Sequence, residues 1–220
     1  MAGGPCLIVA DDHPLFREAL RHTLARAYAQ AEIAQAGSFD EVRRLLEARD
    51  DIDLVLFDLR MPGVQGLSGL VYLRAQYPGV PVVVVSASDE PAVMRRALAL
   101  GAAGFISKSS PVEEMQAAVA AVLGGEVWWP PGLEREASGD GEDGEIARRL
   151  TTLTPQQVRV LMMLREGLLN KQIAYHLGVS EATVKAHVSA ILDKLKVDSR
   201  TQAVIAASRI DGGSGAVTPT

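Results

Sequence analysis

Cysteine is almost absent, with Cys6 the single thiol in 220 residues. That excludes an intrachain disulfide framework and any thiolate metal cluster, and makes a reducing compartment the expected setting. Long apolar runs are missing too. None reaches the roughly 18 residues of a membrane span, and the run Pro5 to Ala10 stops at Asp11-Asp12 without a basic region before it. No internal repeat appears, and there is no Walker loop or glycine-rich nucleotide fingerprint. A soluble cytoplasmic protein is expected. With 48% hydrophobic and 22% charged residues, the chain has an ordinary globular composition, and its length favours two modest domains.

Charge is unevenly placed. Residues 1–125 hold 11 basic and 15 acidic side chains, 126–150 hold 3 and 7, and 151–220 hold 8 and 5. Only the last third is basic, which makes it the candidate for nucleic acid, although an excess of three charges is also an ordinary solvated surface.

Up to Gly124 the chain alternates between short apolar runs and amphipathic stretches. Cys6–Ala10, Glu32–Ala36, Leu54–Phe57, Pro81–Val85 and Gly104–Ile106 read as strands. Between and after them come helical stripes such as Phe16-Leu20-Leu24, Phe39-Val42-Leu46, Val93-Ala97-Leu100 and Met115-Val119-Val122. Five strand–helix units imply a parallel sheet covered on both faces, with ligands binding beyond the carboxyl ends of the strands. From Gly124 to Arg149 periodicity fades. The Trp128-Trp129 pair is expected to pack on the first domain, and the acidic glycine-rich run after Ser138 reads as a flexible linker.

Several polar residues gather at the carboxyl edge of that sheet. Asp11 and Asp12 end the first strand, Asp58 the third and Ser86 the fourth, while Lys108 follows the fifth. Each has an ordinary explanation alone, as a cap, a turn residue or a solvated charge. Together they make a different case. Three carboxylates on one rim repel one another unless a cation neutralises them, and an all-oxygen set suits Mg²⁺. A cation, a lysine ammonium and a hydroxyl donor would together stabilise a phosphoryl group in transfer to Asp58.

These motifs resemble the receiver domain of bacterial two-component response regulators. The resemblance rests on Asp11-Asp12, on Phe57-Asp58-Leu59-Arg60-Met61-Pro62-Gly63, on Ser86-Ala87 and on Gly101-Ala102-Ala103-Gly104-Phe105-Ile106-Ser107-Lys108. It implies that Asp58 accepts a phosphoryl group from a histidine kinase, assisted by Ser86 and Lys108. It further implies that Asp12, Asp58 and the main-chain carbonyl of Arg60 hold Mg²⁺ directly, with Asp11 acting through water. Ser86 and Phe105 would be the switch residues. The fold implied is flavodoxin-like, α/β, a doubly wound five-stranded parallel sheet.

After Leu150 four short helices are expected, the first opened by the capping sequence Thr154-Pro155-Gln156-Gln157. Asn170–Leu177, then Gly178-Val179-Ser180, then Glu181–Lys194 has the form of a helix-turn-helix. By pattern alone the same helices fit a small structural bundle equally well. The segments Leu153-Thr154-Pro155, Ser180 to Val188 and Ser199 to Ala203 are similar to the LuxR-type helix-turn-helix. A receiver followed by this module resembles the NarL/FixJ response regulators. That resemblance implies base-edge contacts from Lys185, Ala186 and Ser189, a phosphate contact from Thr183, and dimerisation around Thr201 and Ile205. Ala186 can only touch a thymine methyl and Ser189 discriminates little, so affinity should come substantially from phosphates.

The expected boundaries are 5–124 for the receiver, 125–150 for an acidic linker, 151–211 for a smaller all-α DNA-binding domain and 212–220 for a flexible tail. The implied partners are a histidine kinase, double-stranded DNA, a second copy of the chain and RNA polymerase, with no membrane. An aspartyl-phosphate phosphatase would want a general acid near its nucleophile, where this chain has Arg60, so an enzyme is not expected. An adaptor that docks proteins through its receiver, independently of phosphorylation, is the alternative.

Overall fold

The computed structural model describes residues 4–64, 66–130, 133 and 142–209. The expected tail at 212–220 and the glycine-rich part of the expected linker lie outside them.

The first half is a five-stranded sheet made of β1 (Cys6–Ala10), β2 (Glu32–Ala36), β3 (Leu54–Asp58), β4 (Val82–Ser86) and β5 (Gly104–Ser107). All neighbouring pairs are parallel, in the order β2-β1-β3-β4-β5. The helices that follow the strands are α1 (Pro14–Ala27), α2 (Phe39–Ala48), α3 (Ser68–Gln76), α4 (Pro91–Ala99) and α5 (Val112–Leu123).

Period-two alternation sorts the strand side chains between two cores. Leu7, Val9, Leu54, Leu56, Val83, Val85 and Ile106 meet Leu20 and Leu24 of α1 and Met115 and Val119 of α5. Ile8, Val55, Phe57, Val84 and Phe105 face the other way, toward Phe39 and Val42 of α2, Leu70 of α3 and Ala97 of α4. Central strands buried on both faces favour apolar side chains, which is why β1, and β3 and β4 up to their last residues Asp58 and Ser86, read as continuous apolar runs. The edge strand β2 is half exposed and correspondingly mixed.

Trp128 packs on the first domain as expected. Its backbone N–H donates to the Ala103 carbonyl at 2.9 Å, and it forms an isolated parallel bridge with Gly104 beside the edge strand β5. A Cβ at Gly104 would stand 3.0 Å from the Trp128 Cβ, so glycine is what admits the strap.

Helices α6 (Glu142–Leu150), α7 (Pro155–Arg165), α8 (Asn170–Leu177), α9 (Glu181–Leu195) and α10 (Arg200–Arg209) build the second half. The four helices expected after Leu150 are present, with Thr154 and Gln157 closing a reciprocal capping box on α7. Helix α6 was not expected, since its residues fell in the acidic stretch. Ile146, Ala147 and Leu150 give it a buried stripe. Glu145 pairs with both Arg148 and Arg149, and Arg149 donates to the Leu195 carbonyl at the end of α9. The acidic composition concealed this local periodicity.

The halves meet along an apolar seam. Leu67 and Val71, at the start of and within α3, line a cavity with Leu150, Val158, Leu161, Met162 and Ala207, and Arg96 of α4 donates to the Arg209 carbonyl at 2.7 Å. A second cleft joins Met61, Pro62, Gly63 and Val64 to Met162 and Glu166. Among the described residues, no helix is long and apolar enough to cross a membrane.

Candidate functional site

The parallel sheet brings Asp11, Asp58, Ser86 and Lys108 to one edge because β1, β3 and β4 end there and Lys108 closely follows β5. Asp11, Asp58 and Ser86 are each no more than 2% exposed. The Lys108 N–H donates to the Ser86 carbonyl at 2.7 Å, extending the β4–β5 pairing one step past β5. That bond aims the ammonium across the edge. Its Nζ lies 2.6 Å from Asp11 Oδ2 and 2.8 Å from Asp58 Oδ2, with the Phe16 ring centroid 5.0 Å away.

The second carboxylate oxygens are held by the backbone. The His13 N–H donates to Asp11 Oδ1 at 2.8 Å, and the Arg60 N–H donates to Asp58 Oδ1 at 3.1 Å. Asp12 is partly exposed, with His13 Nδ1 at 2.7 Å from its Oδ1. Ligand atoms of Asp11, Asp12, His13 and Asp58 all lie within 4.8 Å of one another.

Burial pushes the Asp58 carboxyl above its ordinary range, against the opposing pull of Lys108 and the Arg60 N–H. Burial also disfavours the Lys108 charge, but its bonds to Asp11 and Asp58 prevail and its pKa is raised. One ammonium therefore serves two buried carboxylates, with a third carboxylate beside them. Hard oxygen donors in this excess fit a divalent cation such as Mg²⁺.

Ser86 Oγ accepts the Ser88 N–H at 3.1 Å. Phe105 is fully buried in the core beneath this edge. The Arg60 side chain points outward and is exposed. Neither His13 nor Arg17 was singled out in the sequence, although Arg17 Nη1 donates to the Asp11 carbonyl. The adjacency of His13 to two aspartates was the available signal, whereas Arg17 reaches the site only through the turn of α1.

The second candidate surface is α9. Val184, Ile191 and Leu195 are buried, with Val188 packed against them. Thr183, Lys185, Ala186 and Ser189 are all exposed. Gly178, at a φ of +65°, makes the left-handed turn out of α8, and Ser180 caps α9 by accepting the Thr183 N–H. Lys185 lies 3.5 Å from Glu181 one turn away. On α10, Thr201 and Ile205 face outward while Ala203, Ala206 and Ala207 pack inward.

A doubly wound sheet with acids and a lysine at its carboxyl edge, joined to a helix-turn-helix, defines a two-part signalling regulator. Residues 7–120 match the response regulator receiver domain, and residues 151–207 match the luxR family of bacterial regulatory proteins. The chain is 43% identical over 211 residues to the glycerol metabolism activator of Pseudomonas putida, covering 93% of this chain and 96% of the relative. It is 32% identical over 201 residues to the nitrate/nitrite response regulator protein NarL of Escherichia coli K12, covering 90% and 93%. In fold it resembles the RcsB response regulator of Salmonella typhimurium, with a TM-score of 0.56 at 22% identity over 94% of this chain and 100% of that one. The chain belongs to the NarL/FixJ-type response regulators, transcriptional regulators that join a receiver to a LuxR-type helix-turn-helix.

Proposed function

We propose that this chain is switched by phosphorylation of Asp58 by a histidine kinase and, once switched, binds paired DNA half-sites as a homodimer. The observation that carries the reading is Lys108, held by the sheet between Asp11 and Asp58. A buried carboxylate beside an ammonium is a nucleophile with an electrophilic partner in place, and it needs no general base. An Asp58 oxygen attacks phosphorus, the bond from phosphorus to the kinase imidazole nitrogen breaks, and an acyl phosphate forms. Lys108 then passes from the carboxylate to a phosphoryl oxygen, and the Ser86 hydroxyl donates to another.

Asp12, Asp58 and the Arg60 carbonyl are the residues assigned to Mg²⁺, with Asp11 acting through water. When bound there, the cation would supply positive charge that offsets the carboxylates and the incoming phosphoryl. Phe105, buried below Ser86, transmits the change toward α4 and the seam.

On the DNA side, α9 enters the major groove with Lys185, Ala186 and Ser189 at base edges and Thr183 at phosphate. Thr201 and Ile205 of α10 form the dimer contact. The assignments follow the expected boundaries, 5–124 as receiver and 151–211 as DNA-binding domain, with α6 packed on the latter. The relative named as an activator supports a role in control of expression, and RNA polymerase is the partner this role would use. The chain is assigned to the cytoplasm, with no turnover activity of its own.

Intact mass after incubation with Mg²⁺ and a small-molecule phosphodonor, or with the kinase, tests this. Wild type should gain one phosphoryl group and dimerise, and Asp58→Asn should do neither. A wild type that gains nothing from either donor, yet binds DNA normally, would overturn the phosphorylation reading in favour of a docking module.

A further inference from the structure

We propose that His13 is a fourth donor to the cation site, so that the receiver binds borderline first-row transition cations, Mn²⁺ and Co²⁺ among them, more tightly than its carboxylates alone would. The inference rests on the acidic edge being a cation site, as proposed above. It concerns which cation that edge prefers.

His13 occupies the N-cap of α1, but its side chain does not cap the helix. The ring instead turns back over the acids. Its Nδ1 lies 2.7 Å from Asp12 Oδ1 and 3.4 Å from Asp11 Oδ1. Adjacent donors around an octahedral ion with bonds near 2.1 Å stand about 3 Å apart, and the Asp12 contact lies near that separation. The widest spacing in the four-residue set is no more than 4.8 Å, close to the span of about 4.2 Å between opposite donors in the same geometry.

Lys108 binds Asp11 and Asp58 through their Oδ2 atoms. Asp11 Oδ1 accepts the His13 N–H, and Asp12 Oδ1 is left facing the His13 ring. Mg²⁺ gains little from exchanging an oxygen for an imidazole nitrogen, whereas Mn²⁺ and still more Co²⁺ gain. A histidine here therefore discriminates among divalent ions where another carboxylate would only add charge. The ordinary role for His13, a hydrogen bond to Asp12, predicts no such discrimination.

The test uses the full chain with Mn²⁺ and Co²⁺ as probes. Electron spin echo modulation of bound Mn²⁺ should show a directly coordinated nitrogen. That signal should be displaced by excess Mg²⁺, persist when His22, His176 and His187 are replaced by Gln, and vanish in His13→Ala. By calorimetry, His13→Ala should weaken Co²⁺ binding by about tenfold while Mg²⁺ binding changes by less than about twofold. A nitrogen signal that survives His13→Ala, or equal losses for both ions, overturns the proposal and leaves the acidic site standing. A wild type that binds neither Mn²⁺ nor Mg²⁺ overturns the acidic site and the proposal together.

Discussion

At the carboxyl edge of the sheet the side chains proposed to function are buried and coupled, whereas those proposed along α9 are exposed and nearly independent. Asp58 cannot change without altering the balance held by Lys108 and Asp11. Lys185, by contrast, has one surface partner, Glu181. Burial makes the first site a device in which charge must be matched. Exposure makes the second a printed surface in which each side chain acts for itself, on a frame set by Val184, Ile191 and Leu195.

The sharpest way to break that contrast is to remove the frame. Ile191→Ala leaves a cavity beneath α9 and should destabilise the C-terminal helices by about 3 kcal/mol. DNA affinity should fall while phosphoryl gain at Asp58 is retained, as read by gel shift and intact mass on one sample. Loss of both would show that the seam makes one cooperative unit of the two halves.

A smaller effect is expected from the printed surface itself. Lys185→Ala should weaken sequence-specific binding by about tenfold. Because the side chain is exposed, the urea midpoint should not move. Unchanged footprinting would reject α9 as the reading helix.

Asp58→Asn probes the coupled site through stability. A raised folded-state pKa means that the folded chain takes up the Asp58 proton more readily than the unfolded chain does. The group's stabilising contribution is therefore complete at low pH and is lost as pH rises through the folded value. At neutral pH without cation, the neutral amide should raise stability, and the gap should close under acid. Mg²⁺ should stabilise the wild type and leave Asp58→Asn unmoved in thermal melts. A less stable Asp58→Asn would mean that the Lys108 pairing outweighs the burial of the carboxylate.

The smallest expected effect is at Glu181. Glu181→Gln frees Lys185 from an exposed pair, which should tighten DNA binding by less than about threefold, chiefly at low salt. A gain that persists at high salt would place Glu181 against the DNA itself.

The order of strands and helices was legible because burial on both faces of a parallel sheet leaves a direct trace, as in Pro81–Val85. The acids and lysine were legible for a related reason: a polar residue ending a fully apolar run stands out. His13 was not, because a histidine before a proline reads as turn chemistry until its ring is seen over Asp12. Helix α6 was hidden by composition, its three buried positions diluted by the charges that pair along its outer face. Nor could periodicity show that Leu67 and Val71 face a second domain, since a helix stripe does not say what it packs against.

The seam also bears on how such proteins diversify. Receivers and output domains are readily pictured as parts exchanged by recombination in the connecting chain. Here Leu67 and Val71 meet Leu161, Met162 and Ala207 across one apolar face. A hybrid joined within 125–150 would inherit two halves of that face from different parents. It would keep both chemistries and lose the fit between them, so a working exchange must carry matching residues on α3 and α7.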